Sequence, residues 1–189
     1  MEKPLIVFDV GNTILEIDES KYGELSQVPK FWDNLRLLEC SDITPWCFIN
    51  QLAVKTKLSF SEITFKFNSI ITGKFLNDMG GVISTLTAKG YDIYLLSNTN
   101  ILHWSYFSQF IGNFYKHAFL SFDLGCRKPN KNIFATTNAI INCKNDKSII
   151  FFDDDIDNRC EAEQSVGWIT SEANEYKACM QVIDYFKPS

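Results

Sequence analysis

Four short, almost wholly apolar runs constrain this chain more than any other feature: Pro4 to Phe8 (PLIVF), Tyr91 to Leu96 (YDIYLL), His117 to Leu120 (HAFL) and Ser148 to Phe152 (SIIFF). Strands with one wet face alternate apolar and polar residues, whereas runs like these belong to strands covered on both faces, as in a parallel sheet. A weaker fifth run is Trp168 to Thr170. Between them lie segments with helical spacing of apolar residues: Asp78 to Lys89, stopped by Gly90, then Leu102 to Ile111, Asn130 to Ile141, Asp157 to Val166 and Asn174 to Phe186. Strands alternating with helices predict right-handed crossovers and a doubly wound, Rossmann-like α/β sheet.

One interval breaks the rhythm. A βαβ unit takes roughly 30 residues, yet the second strand begins only near Tyr91. The surplus between about Ser20 and Asn77 contains no convincing buried strand. It carries Phe, Trp, Leu and Ile at helical spacings: Phe31, Trp32, Leu35, Leu38; Trp46, Phe48, Ile49, Leu52; Ile63, Phe65, Phe67, Ile70. The expected organisation is a core of residues 1–17 and 78–189 with a small helical cap, 18–77, inserted after the first strand.

Composition removes several function classes. Apolar residues at 46% against 22% charged can fill a core, which excludes disorder. A net charge of −5 argues against nucleic acid or an anionic membrane as partner. No apolar run reaches the roughly 18 residues of a membrane span, and Pro4 to Phe8 is too short for a secretory signal. The six cysteines form no CxxC and there are only two histidines, so a zinc site is not expected. Reduced, mostly buried thiols in a cytoplasmic protein, monomeric or homodimeric, are the expectation.

Open parallel sheets bind ligands at the carboxyl ends of their strands. Here those ends are polar: Asp9 after the first run, Ser97-Asn98-Thr99-Asn100 after the second, and Asp153-Asp154-Asp155 after the fourth, with Lys128-Pro129 preceding a helix. The sheet rule brings them into one crevice. Carboxylates so gathered raise one another's pKa unless a cation neutralises them. Oxygen donors without histidine or thiolate select a hard ion, Mg²⁺ before Ca²⁺. Ser97, the start of the following helix and Lys128 form a complementary anion site. A carboxylate, a hard cation and an anion cradle together point to phosphoryl transfer through an aspartyl-phosphate on a small phosphorylated metabolite.

Four segments in order, FDVGNTI at 8–14, LLSNTN at 95–100, GCRKPNKNIF at 125–134 and FFDDDIDNRCEA at 151–162, resemble the motifs of the haloacid dehalogenase-like (HAD) hydrolase superfamily over almost the whole chain. Within it, the pattern is most similar to the sugar-phosphate phosphatase branch, including α-glucose-1-phosphatase-like proteins. The resemblance implies Asp9 as nucleophile, Ser97 and Asn98 on phosphoryl oxygens, Lys128 balancing charge, and a Mg²⁺ site of Asp9, the Gly11 carbonyl, Asp154 and Asp153, the last directly or through water. Asp155 and Asn158 would support that site. Arg127 reads as a surface or supporting charge, and His103 as a surface or packing residue. One position departs. Where most phosphatases of the superfamily carry a second Asp as general acid and base, this chain has Gly11. A water, or the acids Asp18 and Glu19 at the cap entrance, would have to replace it, or the leaving group must be an easy one. The alternatives are a metal-independent dehalogenase and a catalytically impaired protein that binds a phosphorylated ligand or a partner.

Overall fold

The computed structural model describes residues 3–143, 147–172 and 176–185. Strand β1 (Leu5–Phe8) lies at the centre of a five-stranded parallel sheet in the order β5-β4-β1-β6-β7. Its neighbours are β4 (Ile93–Ser97) and β6 (Ile149–Phe152), with β5 (His117–Leu120) and β7 (Ile169–Ser171) at the edges. Phe8 is in register with Leu95 on one side and Phe152 on the other, so the chain leaves all three central strands at the same end of the sheet. β1 is buried along its whole length because both faces are covered. Ile6 and Phe8 pack into a core that includes Met79, Val82, Cys179 and Ile183, while Leu5 and Val7 face Ile133, Phe134, Ala162 and Trp168.

The crossovers are α4 (Met79–Ala88), α5 (Ile101–Ile111), the short α6 (Ser121–Leu124), α7 (Lys131–Ile141), α8 (Ile156–Val166) and α9 (Tyr176–Tyr185). Side chains cap the starts of α5, α7 and α8. Asn100 accepts from the N–H groups of Leu102 and His103, Asn130 from that of Asn132, and Asp155 from that of Asp157. Residues 174 and 186, the expected ends of the last helix, lie outside the described residues.

The inserted segment holds α1 (Phe31–Glu39), α2 (Pro45–Thr56) and α3 (Phe60–Asn68), after a 3₁₀ stretch over Glu19–Gln27. α2 begins on a Thr44 cap with Pro45 at its first position, and α3 on a capping box between Ser59 and Glu62. Tyr22, Phe31, Phe48 and Phe67 form its aromatic centre, continuous with the core below the sheet. The segment is not wholly helical, however. β3 (Ile71–Phe75) pairs antiparallel with β2 (Leu15–Ile17), Ile17 opposite Ile71 and Leu15 opposite Phe75. The sequence ITGKF hides this strand because only Ile71 is buried, so no alternation marks it. Helix α6 and the 3₁₀ stretch are likewise additions to the sequence reading. All six cysteines are free, but only Cys179 is buried, and Cys47, Cys143 and Cys160 are exposed, which corrects the expectation of mostly buried thiols. No helix among the described residues is long and apolar enough to cross a membrane.

Candidate active site

Lys128 organises the site. Its side chain is 1% exposed, and its Nζ donates to Asp9 Oδ1 at 2.7 Å and to Asp153 Oδ2 at 2.5 Å. The ammonium also stands 5.4 Å from the centroid of the Phe151 ring. Three segments separated by up to 144 residues in the chain thus meet at one cation. The lysine backbone is fixed as firmly as its side chain. Asn98 accepts from the Lys128 N–H at 2.7 Å and donates from Nδ2 to the Lys128 carbonyl at 2.9 Å. The Asn98 side chain therefore fixes the lysine loop. Ser97 is buried and lines the cavity beside it.

Asp153 is bonded through both of its oxygens. Its Oδ1 accepts from the Asp155 N–H at 2.8 Å and Asn158 Nδ2 at 3.1 Å; its Oδ2 accepts from Lys128 and, again, Asn158 Nδ2 at 3.1 Å. With both oxygens hydrogen-bonded and no exposure, Asp153 anchors Lys128. Asp155 caps α8, and Arg159 donates to the carbonyls of Asp153 and Asp154, holding the turn after β6. Asp154 is the carboxylate that faces the cavity, its Oδ1 within 3.5 Å of the Thr13 hydroxyl.

The charge arithmetic is lopsided. Asp9, Asp153 and Asp154 share one ammonium. Burial, with further push from Asp153 and Asp154, raises the Asp9 carboxyl to about 7 in spite of Lys128. Burial and then Asp153 raise Asp154 as well. The donor set facing the cavity is oxygen only, and the Asn158 Oδ1, buried there, has no donor among the described residues. Such a set fits a hard divalent ion held by few protein oxygens and completed by water and substrate. Asp9, Asp154 and the backbone at Gly11 line the space for it. Among the described residues no group of three or more acidic, histidine or cysteine side chains is placed to hold a metal ion by itself.

The cavity above Asp9 has a volume of about 220 Å³. Its floor is the sheet end; its roof comes from the inserted segment through Glu19, Tyr22, Leu35 and Glu39. A larger hollow of about 680 Å³ lies among Lys21, Phe60, Phe65 and Tyr106, but it holds none of the expected site residues. Charge, not volume, marks the chemistry here. A Cβ on Gly11 would lie 3.2 Å from Ile17 Cγ1, so β2 closes over this position.

Of the cap-entrance acids, Asp18 is engaged by the Ser20 N–H and hydroxyl, and Glu19 is exposed at the mouth. His103 is buried rather than on the surface. Its Nδ1 pairs with Asn100 Nδ2 and its Nε2 with the Phe67 carbonyl, each at 3.1 Å, and its ring stacks on Phe67 at 4.0 Å. These partners define the neutral tautomer with the proton on Nε2, and burial lowers the ring to about 4. Sequence reasoning missed Glu39. It sits on α1 and meets Arg127, the residue before the lysine, at 2.9 Å. Nothing local in LRLLECSD sets it apart from a surface acid.

No family model matches the sequence. Solved structures do. A predicted HAD-like family hydrolase from Porphyromonas gingivalis superposes with a TM-score of 0.76 at 19% identity, covering 97% of each chain. This is the fold of the HAD hydrolases. A HAD family enzyme from Bacteroides thetaiotaomicron, in complex with magnesium and inorganic phosphate, matches at TM-score 0.69 and 19% identity over 90% of this chain and 94% of that one. The HAD fold here also resembles that of an L-2-haloacid dehalogenase from Xanthobacter autotrophicus with chloropropionic acid covalently bound: TM-score 0.63, 10% identity, 100% and 85% coverage.

Proposed function

We propose that this protein is a Mg²⁺-dependent phosphatase of the HAD type, acting on a small phosphorylated metabolite through an aspartyl-phosphate on Asp9. Residues 1–17 and 78–189 form its catalytic core and 18–77 its cap. The observation that carries the reading is the buried Lys128 bridging Asp9 and Asp153 beside an unneutralised Asp154. That surplus of negative charge favours a cation-dependent reaction over the dehalogenase alternative, whose nucleophile needs no metal. The magnesium and phosphate of the Bacteroides enzyme support the same direction.

In this reading Lys128 holds Asp9 Oδ1 and orients the other carboxylate oxygen toward phosphorus. Ser97 receives a phosphoryl oxygen, and Asn98 keeps the lysine loop from yielding as charge develops. Asp154 and the Gly11 carbonyl, with Asp9, would hold Mg²⁺. When bound, Mg²⁺ supplies the positive charge that keeps Asp9 ionised and offsets the phosphoryl oxygens. The inserted segment roofs part of the 220 Å³ chamber, which favours a small group on the phosphate.

Hydrolysis of aryl and sugar phosphates with and without Mg²⁺, in wild type and Asp9→Asn, tests the proposal. Metal-dependent phosphate release that disappears in Asp9→Asn is expected. Halide release from a 2-haloacid without metal would instead establish the dehalogenase, and ligand binding without any turnover the impaired protein.

A further inference from the structure

The reaction proposed above needs a proton donor opposite the nucleophile, and Gly11 cannot be one. Glu39 is the cap carboxylate placed to serve. Its side chain is 12% exposed and lines the same cavity as Asp9, on the part contributed by the inserted segment. Arg127 Nε donates to Glu39 Oε2 at 2.9 Å, leaving Oε1 without a partner among the described residues. Because Arg127 precedes Lys128, whose Nζ touches Asp9, the tether ties the cap carboxylate to the lysine loop. The other entrance acids are less well placed, Asp18 being bonded to Ser20 and Glu19 lying exposed at the mouth.

We infer that Glu39 of the cap is the general acid and base of this active site, held in place by Arg127. The inference rests on the phosphatase reading. In the first step an Asp9 oxygen forms a bond to phosphorus and the bond from phosphorus to the ester oxygen breaks. Its electron pair goes to that oxygen, which takes the proton from Glu39 Oε1. In the second step a water occupies the vacated apical position and returns a proton to the Glu39 carboxylate. The water oxygen bonds to phosphorus, and the Asp9–phosphorus bond breaks with its electrons returning to the Asp9 carboxylate. The sum is one ester and one water giving an alcohol and phosphate, with Glu39 restored as the acid. Both steps use the same side of the phosphorus, so one residue serves both.

The charged groups facing Glu39 are Arg127 from the core loop, Arg36 on its own helix and Glu19 from the 3₁₀ stretch; the Tyr22 phenol faces it too. Burial, and to a lesser degree Glu19, pushes the Glu39 carboxyl above the ordinary carboxylate range, against the two guanidiniums that draw it down.

Single-turnover phosphorylation of Asp9 by an alkyl phosphate and by a nitrophenyl phosphate, in wild type and Glu39→Gln, tests this. A nitrophenolate leaves without protonation and an alkoxide does not. Glu39→Gln retains an oxygen for Arg127 but no acid, so the alkyl-to-nitrophenyl rate ratio should drop by about 10²–10⁴-fold. Steady-state turnover of the nitrophenyl ester should become limited by loss of the aspartyl-phosphate. Glu39→Asp, a carboxyl one methylene short, should recover part of the ratio. An unchanged ratio, with both esters slowed equally or neither slowed, would assign Glu39 to positioning only and overturn the inference. Wild-type protein that releases no nitrophenolate with Mg²⁺ would overturn the phosphatase reading and this inference with it.

Discussion

At the scale of single residues, two buried titratable groups carry the account in opposite ways. Lys128 is charged, dry and shared by two carboxylates; removing it leaves both unpaired in a low-dielectric site. Taking one partner from a buried ion pair costs about 3–5 kcal/mol, so Lys128→Met should lower the unfolding free energy by about that much in urea titrations and abolish turnover. His103 is neutral, and its folded pKa of about 4 lies below the ordinary 6.5. Between those values the unfolded chain binds a proton that the folded chain refuses. The folded state therefore loses stability from this ring as pH falls from 6.5 toward 4, and regains it as pH rises. The full effect is about 3 kcal/mol. The difference in unfolding free energy between wild type and His103→Gln, followed from pH 7 to 4.5, should shrink by an amount of that order; a constant difference would mean the ring titrates normally.

At the scale of elements, the ends of strands and the starts of helices place the chemistry. Asn100 caps α5 immediately after the Ser97-Asn98 turn, accepting from two backbone N–H groups at 3.1 Å and meeting His103 through its amide. Losing an N-cap of this type costs about 1–2 kcal/mol. Asn100→Ala should destabilise by about that amount in thermal or urea unfolding and reduce turnover by loosening the turn that holds Lys128. Much at this scale was legible in the sequence. The apolar runs at 4–8, 91–96, 117–120 and 148–152 are strands because burial on both faces leaves nothing polar to interrupt them, and Asp9 and Ser97 stand where those runs stop. The ribbon of β2 and β3 was not legible, because half-exposed strands of three and five residues carry no period. The hold of Asn98 and Asp153 on Lys128 was not legible for a different reason. Motif position says that a residue belongs to a site; only the hydrogen bonds say whether it faces the ligand or the lysine.

At the scale of the molecule, inserted segment and sheet share their packing. The Phe67 ring, in the centre of the cap, stacks on His103 of α5, and Tyr22, Phe31 and Phe48 continue into the same core as Ile6 and Phe8. Truncating a buried phenylalanine costs about 3–5 kcal/mol. Phe67→Ala should accordingly lower the midpoint of one cooperative unfolding transition, seen alike by tryptophan fluorescence and circular dichroism, rather than melt the cap alone. The same continuity explains why Glu39 escaped the sequence reading. Its meaning comes from Arg127, 88 residues away, and from a cavity that exists only once cap and core have packed. The central claim, that distant segments converge to make Asp9 a nucleophile toward phosphorus, is tested most directly by acid-quenching the protein during turnover of a nitrophenyl phosphate with Mg²⁺ and mapping the product by mass spectrometry. The account predicts one phosphoryl group, on the peptide containing Asp9 and absent from Asp9→Asn. Turnover with no phosphorylated protein, or with the group on any other residue, would contradict it.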